Sequence, residues 1–306
     1  MSSPEPSWDL YRSFLAVMRG GSLSAAARML ATTQPTLGRH IELLEQSLGI
    51  TLFTRSPNGL RPSAVARELM AHAAAMEAAA ASCRRSAANS ADADTGSVRV
   101  AASHIVGGEL LPAMLAEFHH THPRIAVELA LSNEPDDLLR GDADIAVRMF
   151  RPTQEALVAK RIGVVTIGLY AHRRYVERRG LPETIEALAH HSLIGYDRDQ
   201  VWIRAAATMG MRVEREQFIL RCDSEQAQLS ALRAGFGIGV CQAGIARRDP
   251  DLLAVLADRI GFDLEVWLAM HEDLRSSRCV VQVFEHLSQT LAQYVAENGA
   301  HESSRR

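Results

Sequence analysis

The chain has 306 residues, of which 47% are hydrophobic and 23% charged, and its formal net charge at pH 7 is −3. This length predicts about two globular domains of roughly 150 residues each, and the composition excludes fibrous and intrinsically disordered proteins. The first 63 residues contain six arginines and four acidic residues. Positive charge is therefore concentrated at the N-terminus, which favours a nucleic-acid partner for that segment although the whole chain is slightly acidic.

The start of the chain and its cysteines bear on the compartment. The first residues lack the positive-then-apolar order of a secretory signal, and no apolar run reaches the roughly 20 residues of a membrane span. We therefore expect a cytoplasmic protein. The cysteines form no C-x-x-C pair or metal-ligand spacing, which predicts reduced packing thiols and leaves a redox switch between two of them as the alternative; they are Cys83, Cys222, Cys241 and Cys279.

Three helices are predicted in the first 50 residues. The first covers residues 8–19, and the second, residues 24–30, has an alanine face small enough for close crossing by another helix. The third opens with Thr33 as its cap and Pro35 in its first turn, where a missing N–H costs nothing. Its apolar residues repeat every three or four positions and form one stripe that faces a core; they are Leu37, Ile41, Leu44 and Leu48.

The exposed side of the third helix is the candidate DNA-reading surface. Glutamine and arginine can pair with base edges in the major groove, which admits an α-helix, so Gln34 and Arg39 are the leading contacts. A bare helix-turn-helix spacing also occurs in proteins that never bind DNA. The ordered combination of helices, turn and arginines nevertheless favours a duplex reader. The candidate contacts in these helices are Ser24, Thr33, Gln34, Pro35, Thr36, Gly38 and Arg39.

A hairpin is predicted directly after the helices. Residues 51–55 and 60–61 form two short strands around the turn at Asn58 and Gly59, a common hairpin signal. Such a hairpin is a wing beside the third helix. Arg55 and Arg61 then complete the candidate DNA contacts, beside the phosphate backbone.

A long helix follows the wing. Ser63 can cap a helix that runs to about residue 88, some 40 Å long at 1.5 Å per residue. Its apolar and small residues repeat as a heptad seam, which predicts a dimerising linker helix; packing against its own domain is the alternative. The seam consists of Ala66, Leu69, Ala73, Met76, Ala80, Cys83 and Ala87. The small polar segment 88–96 is then a hinge.

From residue 97 onward, strands and helices alternate. The first set of strands covers 98–102, 125–131 and 144–148, with a helix over 110–118 and a short one at Leu138 and Leu139, and this order calls for parallel strands covered by helices. A second set has strands at 163–171, 192–196, 218–222 and 237–241, with a helix over 225–233. A strand over 264–270 and a helix over 280–295 close the chain. The fold class is thus α/β and multi-domain, with two α/β lobes that resemble periplasmic binding proteins.

These segments resemble the LysR-type transcriptional regulators. The resemblance rests on 21–27, GSLSAAA, on 33–41, TQPTLGRHI, and on Leu44–Glu45 and 48–55, LGITLFTR. It implies a bacterial winged helix-turn-helix over 1–63, a linker helix over 64–91, a regulatory domain over 92–300 and a disordered tail over 301–306. Lobe I would cover about 97–162 plus 267–300, and lobe II about 163–266. The implied protein is a homotetramer that binds promoter DNA and a small effector; contact with RNA polymerase is left open.

Two positions depart from the family pattern. Gly38 stands where a serine is usual, so a phosphate-facing hydroxyl is absent, and a glycine inside a helix costs about 1 kcal/mol relative to alanine. Gly38 would let the backbone lie closer to DNA. Ala66 stands where a glycine is usual just after the wing, and we interpret this change as harmless within a helix.

A ligand cleft is predicted between the lobes. Ligands of open α/β sheets lie beyond the carboxyl ends of the strands, which selects Ser103, His104, Ser132, Arg148 and Tyr196. Ser103 has the best case as an effector contact, with a helix or turn cap as the alternative. Arg148 suits an anionic effector, with a salt bridge to Asp142 or Asp144 as the alternative. His104 is as easily an ordinary hydrogen-bonded loop residue.

Other chemistry is weakly supported. No metal or cofactor is expected, because the histidines at 119, 120 and 122 point in different directions on a helix end and no carboxylate or cysteine completes a set. The glycines of 235–239 follow a helix and enter a strand, the reverse of a phosphate-binding loop. A hydrolase built on Ser103 and His104 lacks a G-x-S-x-G elbow, and an exported solute-binding protein would need a signal. A ligand-responsive transcription factor without enzymatic activity is therefore the main hypothesis.

Overall fold

The computed structural model describes residues 5–56, 59–89, 95–133, 143–152, 157–198 and 214–298. The described backbone divides into two compact units, the first ending at Ala87 and the second beginning at Ala88. Several expected features lie outside the described residues: the turn residue Asn58, the centre of the hinge, the short helix at Leu138 and Leu139, Asp142 and the C-terminal tail.

The N-terminal unit begins with three helices, α1 (Trp8–Gly20), α2 (Leu23–Met29) and α3 (Gln34–Leu48). The α2 cap is Ser22, whose hydroxyl accepts the Ala25 N–H at 3.2 Å. Thr33 caps α3 as expected, and α3 ends at Gly49, whose φ of 67° is the left-handed conformation that glycine adopts at little cost. Three residues of the predicted α3 stripe, Leu37, Ile41 and Leu44, are buried.

A two-stranded wing follows, with β1 (Phe53–Ser56) antiparallel to β2 (Gly59–Pro62). The long helix α4 (Ala64–Asn89) then begins with Ser63 as its cap, since the Ser63 hydroxyl accepts the Ala66 N–H at 3.1 Å. The first half of its predicted seam packs into the core of its own unit, where Ala66 and Ala73 are fully buried.

The second half of that seam is different. Met76 and Cys83 are exposed on α4. Packing against its own domain, the alternative reading of the seam, thus accounts for Ala66, Leu69 and Ala73. The seam residues that are exposed, Met76 and Cys83, lie in the later turns of α4.

The C-terminal unit alternates strands and helices. Its first part contains β3 (Gly96–Ala102), α5 (His104–Glu109), α6 (Leu111–Thr121), β4 (Ile125–Leu131), β5 (Ile145–Arg148) and β6 (Leu157–His172). Its second part contains α7 (Arg173–Arg179), β7 (Leu193–Gly195), β8 (Phe218–Arg221), α8 (Glu225–Arg233), β9 (Ile238–Gln242), α9 (Ala243–Ala246), β10 (Leu252–Val255), β11 (Gly261–His271) and α10 (Arg278–Asn298). Short 3₁₀ turns occur at Glu186–His190, Arg215–Gln217 and Glu272–Ser276.

The strands of this unit form one sheet in the order β4-β3-β5-β11-β6-β9-β7-β8, with β10 also paired to β6. β3 is parallel to both β4 and β5, as the alternating pattern predicted. β6 and β11 are antiparallel to each other, and they carry the sheet from one lobe into the other. Lobe I contains β3 to β5, α5, α6 and α10, and lobe II contains β7 to β10 and α7 to α9.

Some elements differ from expectation. β6 begins at Leu157 instead of residue 163, because its first residues pair with the end of β11. α5, α7, α9 and β10 were not predicted. Gly235 ends the α8 segment with φ of 76°, and β9 begins three residues later, so the glycine segment is a helix stop and strand entry as predicted. None of the described helices is long and apolar enough to cross a membrane.

Candidate functional site

Hydroxyl groups cap α3 and orient side chains on its exposed face. The Thr33 hydroxyl accepts the Thr36 N–H at 3.4 Å and lies 2.8 Å from the Thr36 hydroxyl. The Ser24 hydroxyl of α2 donates to the carboxamide oxygen of Gln34 at 3.0 Å. Because this bond uses the oxygen, the Gln34 NH₂ group is left to donate outward. Ser24, Thr33, Gln34 and Thr36 are all exposed.

Arginine supplies the charge of this surface. Arg39, one turn further along α3, and Arg61, on β2, are exposed, and neither guanidinium has a hydrogen bond or ion pair to any described residue. Arg55 lies on β1, but its side chain lies outside the described residues. Pro35 occupies the first turn of α3, as predicted.

Gly38 has room for a side chain. A Cβ built there would meet only the Cδ1 atom of Leu23, at 3.8 Å, which is ordinary van der Waals contact. Nothing among the described residues therefore requires glycine at this position.

The residue that joins α3 to the wing, Glu45, was not predicted from the sequence. The Glu45 carboxylate accepts the backbone N–H groups of Leu52 and Phe53 at 2.6 and 3.1 Å. These two residues form the entry to β1, so one carboxylate of α3 fixes where the wing starts. The acidic residue after Leu44 was visible in the sequence, but its reach to the wing follows only from the folded chain.

The C-terminal unit contains a cavity of about 310 Å³ between its lobes. Its wall is mostly apolar and includes Val147, Ile167, Leu229 and Leu264. Polar groups enter from lobe I after β3, β4 and β5, and from lobe II after β7, on α8 and at the end of β9. This is the arrangement expected for a site at the carboxyl ends of strands.

Three of the predicted effector contacts line this cavity: Ser103, Arg148 and Tyr196. Ser103 also caps α5, since its hydroxyl accepts the Val106 N–H at 3.4 Å. Arg148 is only 6% exposed and donates to the Ser132 carbonyl at 3.1 Å. The Tyr196 hydroxyl donates to Glu225 at 3.4 Å.

The other two predicted contacts are placed differently. Ser132 is not part of the cavity wall and contributes its carbonyl as the acceptor for Arg148. His104 is exposed and is also outside the wall. Its N–H donates to Asn133 at 3.3 Å, and its carbonyl accepts from Gln226 of lobe II at 3.2 Å. The Asp144 carboxylate, an alternative partner considered for Arg148, accepts the Arg99 N–H at 2.8 Å.

Four polar wall residues were not singled out from sequence: Asn133, Glu225, Gln228 and Gln242. Cys241 also lines the cavity, and burial raises the pKa of its thiol to about 12. That thiol is therefore protonated at neutral pH and acts as a packing group. All four cysteines lie among the described residues, and none of them forms a disulfide.

The residues that the structure describes include no cluster of three or more histidine, cysteine or acidic side chains able to hold a metal ion. The ring of His122 stacks on Phe118 with centroids 4.4 Å apart. His122, one of the histidines considered as a ligand, thus has a packing role.

A winged helix-turn-helix joined to a two-lobed ligand-binding domain defines a class of protein, the ligand-responsive transcriptional regulators. Residues 8–67 match the model of the bacterial regulatory helix-turn-helix proteins of the lysR family, and residues 91–292 match that of the LysR substrate binding domain. The chain belongs to the LysR family of transcriptional regulators. Its N-terminal region is DNA-binding and its C-terminal domain is effector-binding; members of this family also form oligomers.

Relatives support this assignment. The chain is 24% identical over 286 residues to the probable regulator LtrA of Klebsiella pneumoniae, covering 91% of this chain and 93% of LtrA. It is 27% identical to the regulator ClcR of Pseudomonas putida, covering 77% of this chain and 82% of ClcR. The structure of CbnR, a LysR family regulator, superposes with a TM-score of 0.66 at 19% identity, covering 93% of this chain and 99% of CbnR.

Proposed function

We propose that the exposed face of α3 reads base edges in the major groove and that the wing contacts the phosphate backbone. Gln34 and Arg39 are the base-reading residues. Arg55 and Arg61 contact the phosphate backbone from the wing. The residues that position the base-reading side chains or contact the DNA backbone are Ser24, Thr33, Pro35, Thr36 and Gly38. The observation that carries this proposal is the bond from Ser24 to Gln34, because it leaves the donor end of an exposed carboxamide available on the helix that also carries the exposed Arg39.

The test compares two variants on a DNA fragment from upstream of the gene. Removing a base contact costs about 1–3 kcal/mol, or about fivefold to more than a hundredfold in affinity. We expect the double variant Gln34→Ala/Arg39→Ala to lose at least tenfold in fluorescence anisotropy titrations. Arg12→Ala, an exposed arginine of α1, is the matched control for charge. Equal affinity and selectivity of the double variant and the native protein would refute the assignment.

We further propose that the effector occupies the interlobe cavity and carries an anionic group bound by Arg148. Ser103 and Tyr196 line the same space, while Ser132 and His104 act on the wall through their backbone groups. A guanidinium that is 6% exposed and opens on an apolar cavity is a strong site for a carboxylate, since low local dielectric strengthens the pair.

This second proposal is tested with a panel of small mono- and dicarboxylates. We expect at least one of them to raise the thermal unfolding temperature of the native protein and to have no effect on Arg148→Met. Arg151→Met is the matched control, because Arg151 is exposed and lies outside the cavity wall. A carboxylate that stabilises the native protein and Arg148→Met equally would bind elsewhere.

In this proposal the two sites are coupled by a population shift. The effector closes the cleft and rotates one lobe against the other. In a tetramer this rotation changes the bend of the bound DNA. Dimers form through α4, where the exposed Met76 and Cys83 offer the later turns of the seam. The domains are 1–63, 64–91 and 92–300. CbnR, a structural neighbour with a TM-score of 0.64 at 20% identity, has been solved in complex with its target DNA.

We propose no catalytic activity. The Ser103 hydroxyl is engaged as the cap of α5, and the His104 side chain lies outside the cavity wall. A nucleophile and its base are therefore not brought together there. Ester turnover abolished by Ser103→Ala would revive the hydrolase alternative.

A further inference from the structure

Two buried glutamines stand in the lobe II wall of the cavity. Gln228 lies on α8 and Gln242 ends β9, and they are 7% and 5% exposed. Each carboxamide carries an NH₂ group that donates and an oxygen that accepts hydrogen bonds. Buried amide groups are nearly always paired, because an unpaired one costs about 1–3 kcal/mol. The hydrogen bonds of these two side chains therefore indicate what the cavity is built to receive.

The orientation of Gln228 is fixed by a backbone carbonyl. Its Nε2 donates to the Cys222 carbonyl at 2.5 Å. A carbonyl only accepts, so the amide cannot be flipped at this position. The Oε1 atom of Gln228 has no hydrogen-bond donor among the described residues. An acceptor is thus left at the cavity wall.

In Gln242 it is the oxygen of the carboxamide, not the nitrogen, that is already hydrogen-bonded. Its Oε1 accepts from the hydroxyl of Tyr294 at 3.1 Å, and Tyr294 is itself 4% exposed beneath the Arg248 guanidinium. Among the described residues, the Nε2 group of Gln242 has no acceptor. Gln242 therefore leaves a donor where Gln228 leaves an acceptor.

The remaining wall limits what can meet this pair. Arg148, on lobe I, supplies a positive charge. The Glu225 carboxylate accepts from Tyr196 within the wall. Aliphatic residues, among them Val147, Leu229 and Leu264, form much of the remaining wall. A ligand that fits has an anionic end for lobe I, a short apolar body and a neutral polar end for lobe II.

We infer that the effector is a small carboxylate whose far end carries one N–H donor and one carbonyl acceptor, as a primary amide does. Its N–H donates to Gln228 Oε1, and its carbonyl accepts from Gln242 Nε2. This inference rests on the proposed binding of a carboxylate at Arg148. It adds a specificity device, because a wall built to hydrogen-bond a ligand rejects analogues that leave its polar groups unpaired.

The test uses two matched series of carboxylates and the full chain. Succinamate, glutaramate and adipamate carry the amide; 4-methylpentanoate, 5-methylhexanoate and 6-methylheptanoate replace it with an isopropyl group of similar size. We expect, by isothermal titration calorimetry, that at one chain length the amide binds at least about tenfold more tightly than its isostere. This comparison needs no variant.

Variants then assign the preference to its residues. Gln228→Met and Gln242→Met should each reduce the amide preference at least about fivefold, while Gln289→Met, an exposed glutamine of α10, leaves it unchanged. The inference would be overturned if the isosteres bound as tightly as the amides at every chain length. It would also be overturned if both variants kept the amide preference. Either result would leave carboxylate binding at Arg148 intact. Absence of binding by both series in the millimolar range would overturn the inference and the carboxylate assignment together.

Discussion

Arg233 of lobe II donates two hydrogen bonds to the Glu109 carboxylate of lobe I, at 3.0 and 2.7 Å. These bonds raise the pKa of Arg233 above its usual value, with Glu109 as the largest cause. Next to them, Arg248 donates to the Glu109 carbonyl at 3.1 Å. The lobes are thus joined at one edge of the cleft by polar contacts between α5 and the lobe II segments.

A double-mutant cycle measures this contact. We expect Glu109→Gln and Arg233→Gln to show a coupling energy of about 1 kcal/mol in the unfolding of the C-terminal unit, the upper range for exposed pairs, since the Arg233 side chain is 36% exposed and screened by solvent. The pair Arg161 and Glu265, at 50% and 45% exposure, is the control and should give less than about 0.5 kcal/mol. Equal couplings would remove any special role for the interlobe pair.

Replacing Gly38 or Gly49 with alanine should change the stability of the N-terminal unit in opposite directions. Gly38→Ala should stabilise the N-terminal unit by about 1 kcal/mol, because alanine is the better helix former and its Cβ meets nothing closer than 3.8 Å. Gly49→Ala should destabilise it by about the same amount, because φ there is 67°. Chemical denaturation followed by circular dichroism gives both values.

A serine at Gly38 tests the role of this position on DNA. Gly38→Ser restores a hydroxyl on the exposed face of α3, and we expect operator affinity or sequence preference to change relative to Gly38→Ala. Anisotropy titrations on the upstream fragment provide the measurement. If Gly38→Ala and Gly38→Ser both bound DNA as the native protein does, Gly38 would neither draw the backbone toward DNA nor omit a useful contact.

Loss of the Glu45 carboxylate should loosen the wing. Glu45→Ala leaves the N–H groups of Leu52 and Phe53 without their acceptor, and two bonds to a charged group should cost about 2 kcal/mol of stability. Hydrogen exchange of those two amides should rise, and DNA affinity should fall because Arg61 is carried by the wing. Glu42→Ala, an exposed carboxylate on the same helix, should change neither property.

The lowered pKa of His191 predicts that the stability of lobe II depends on pH. Burial, followed by the charges of Arg179 and His190, lowers the pKa of His191, which lies 3.1 Å from the Tyr175 hydroxyl. The folded chain then holds fewer protons than the unfolded chain, so the contribution of this group is present above about pH 6.5 and is lost as pH falls through the lower folded pKa. His191→Gln should weaken the fall of the unfolding temperature on acidification, whereas His120→Gln, an exposed control, should not.

The elements that could be predicted carry their own local signals. Thr33 and Gly49 mark both ends of α3, and the alternating apolar pattern predicted β4 at the same limits as in the structure. α5 was missed because Gly107 and Gly108 are poor helix formers; the helix forms with Ser103 as its cap.

Residues of the candidate site were harder to predict where they act across the fold. Gln228 and Gln242 lie on different elements, and only the sheet order brings them to one cavity. The same limit applied to Glu45, whose carboxylate reaches a segment seven residues away, and to Ala66 and Ala73, whose spacing suited a second helix as well as their own core.

Only β6 and β11 pass from one lobe to the other among the described strands, and they lie side by side, with a register shift between Val266 and Trp267. Two neighbouring strands of this kind resist sliding and twisting of one lobe against the other more than they resist hinge bending. Under the proposed mechanism, closure of the cleft by an effector would therefore change mainly one quantity, the hinge angle between the lobes about β6 and β11.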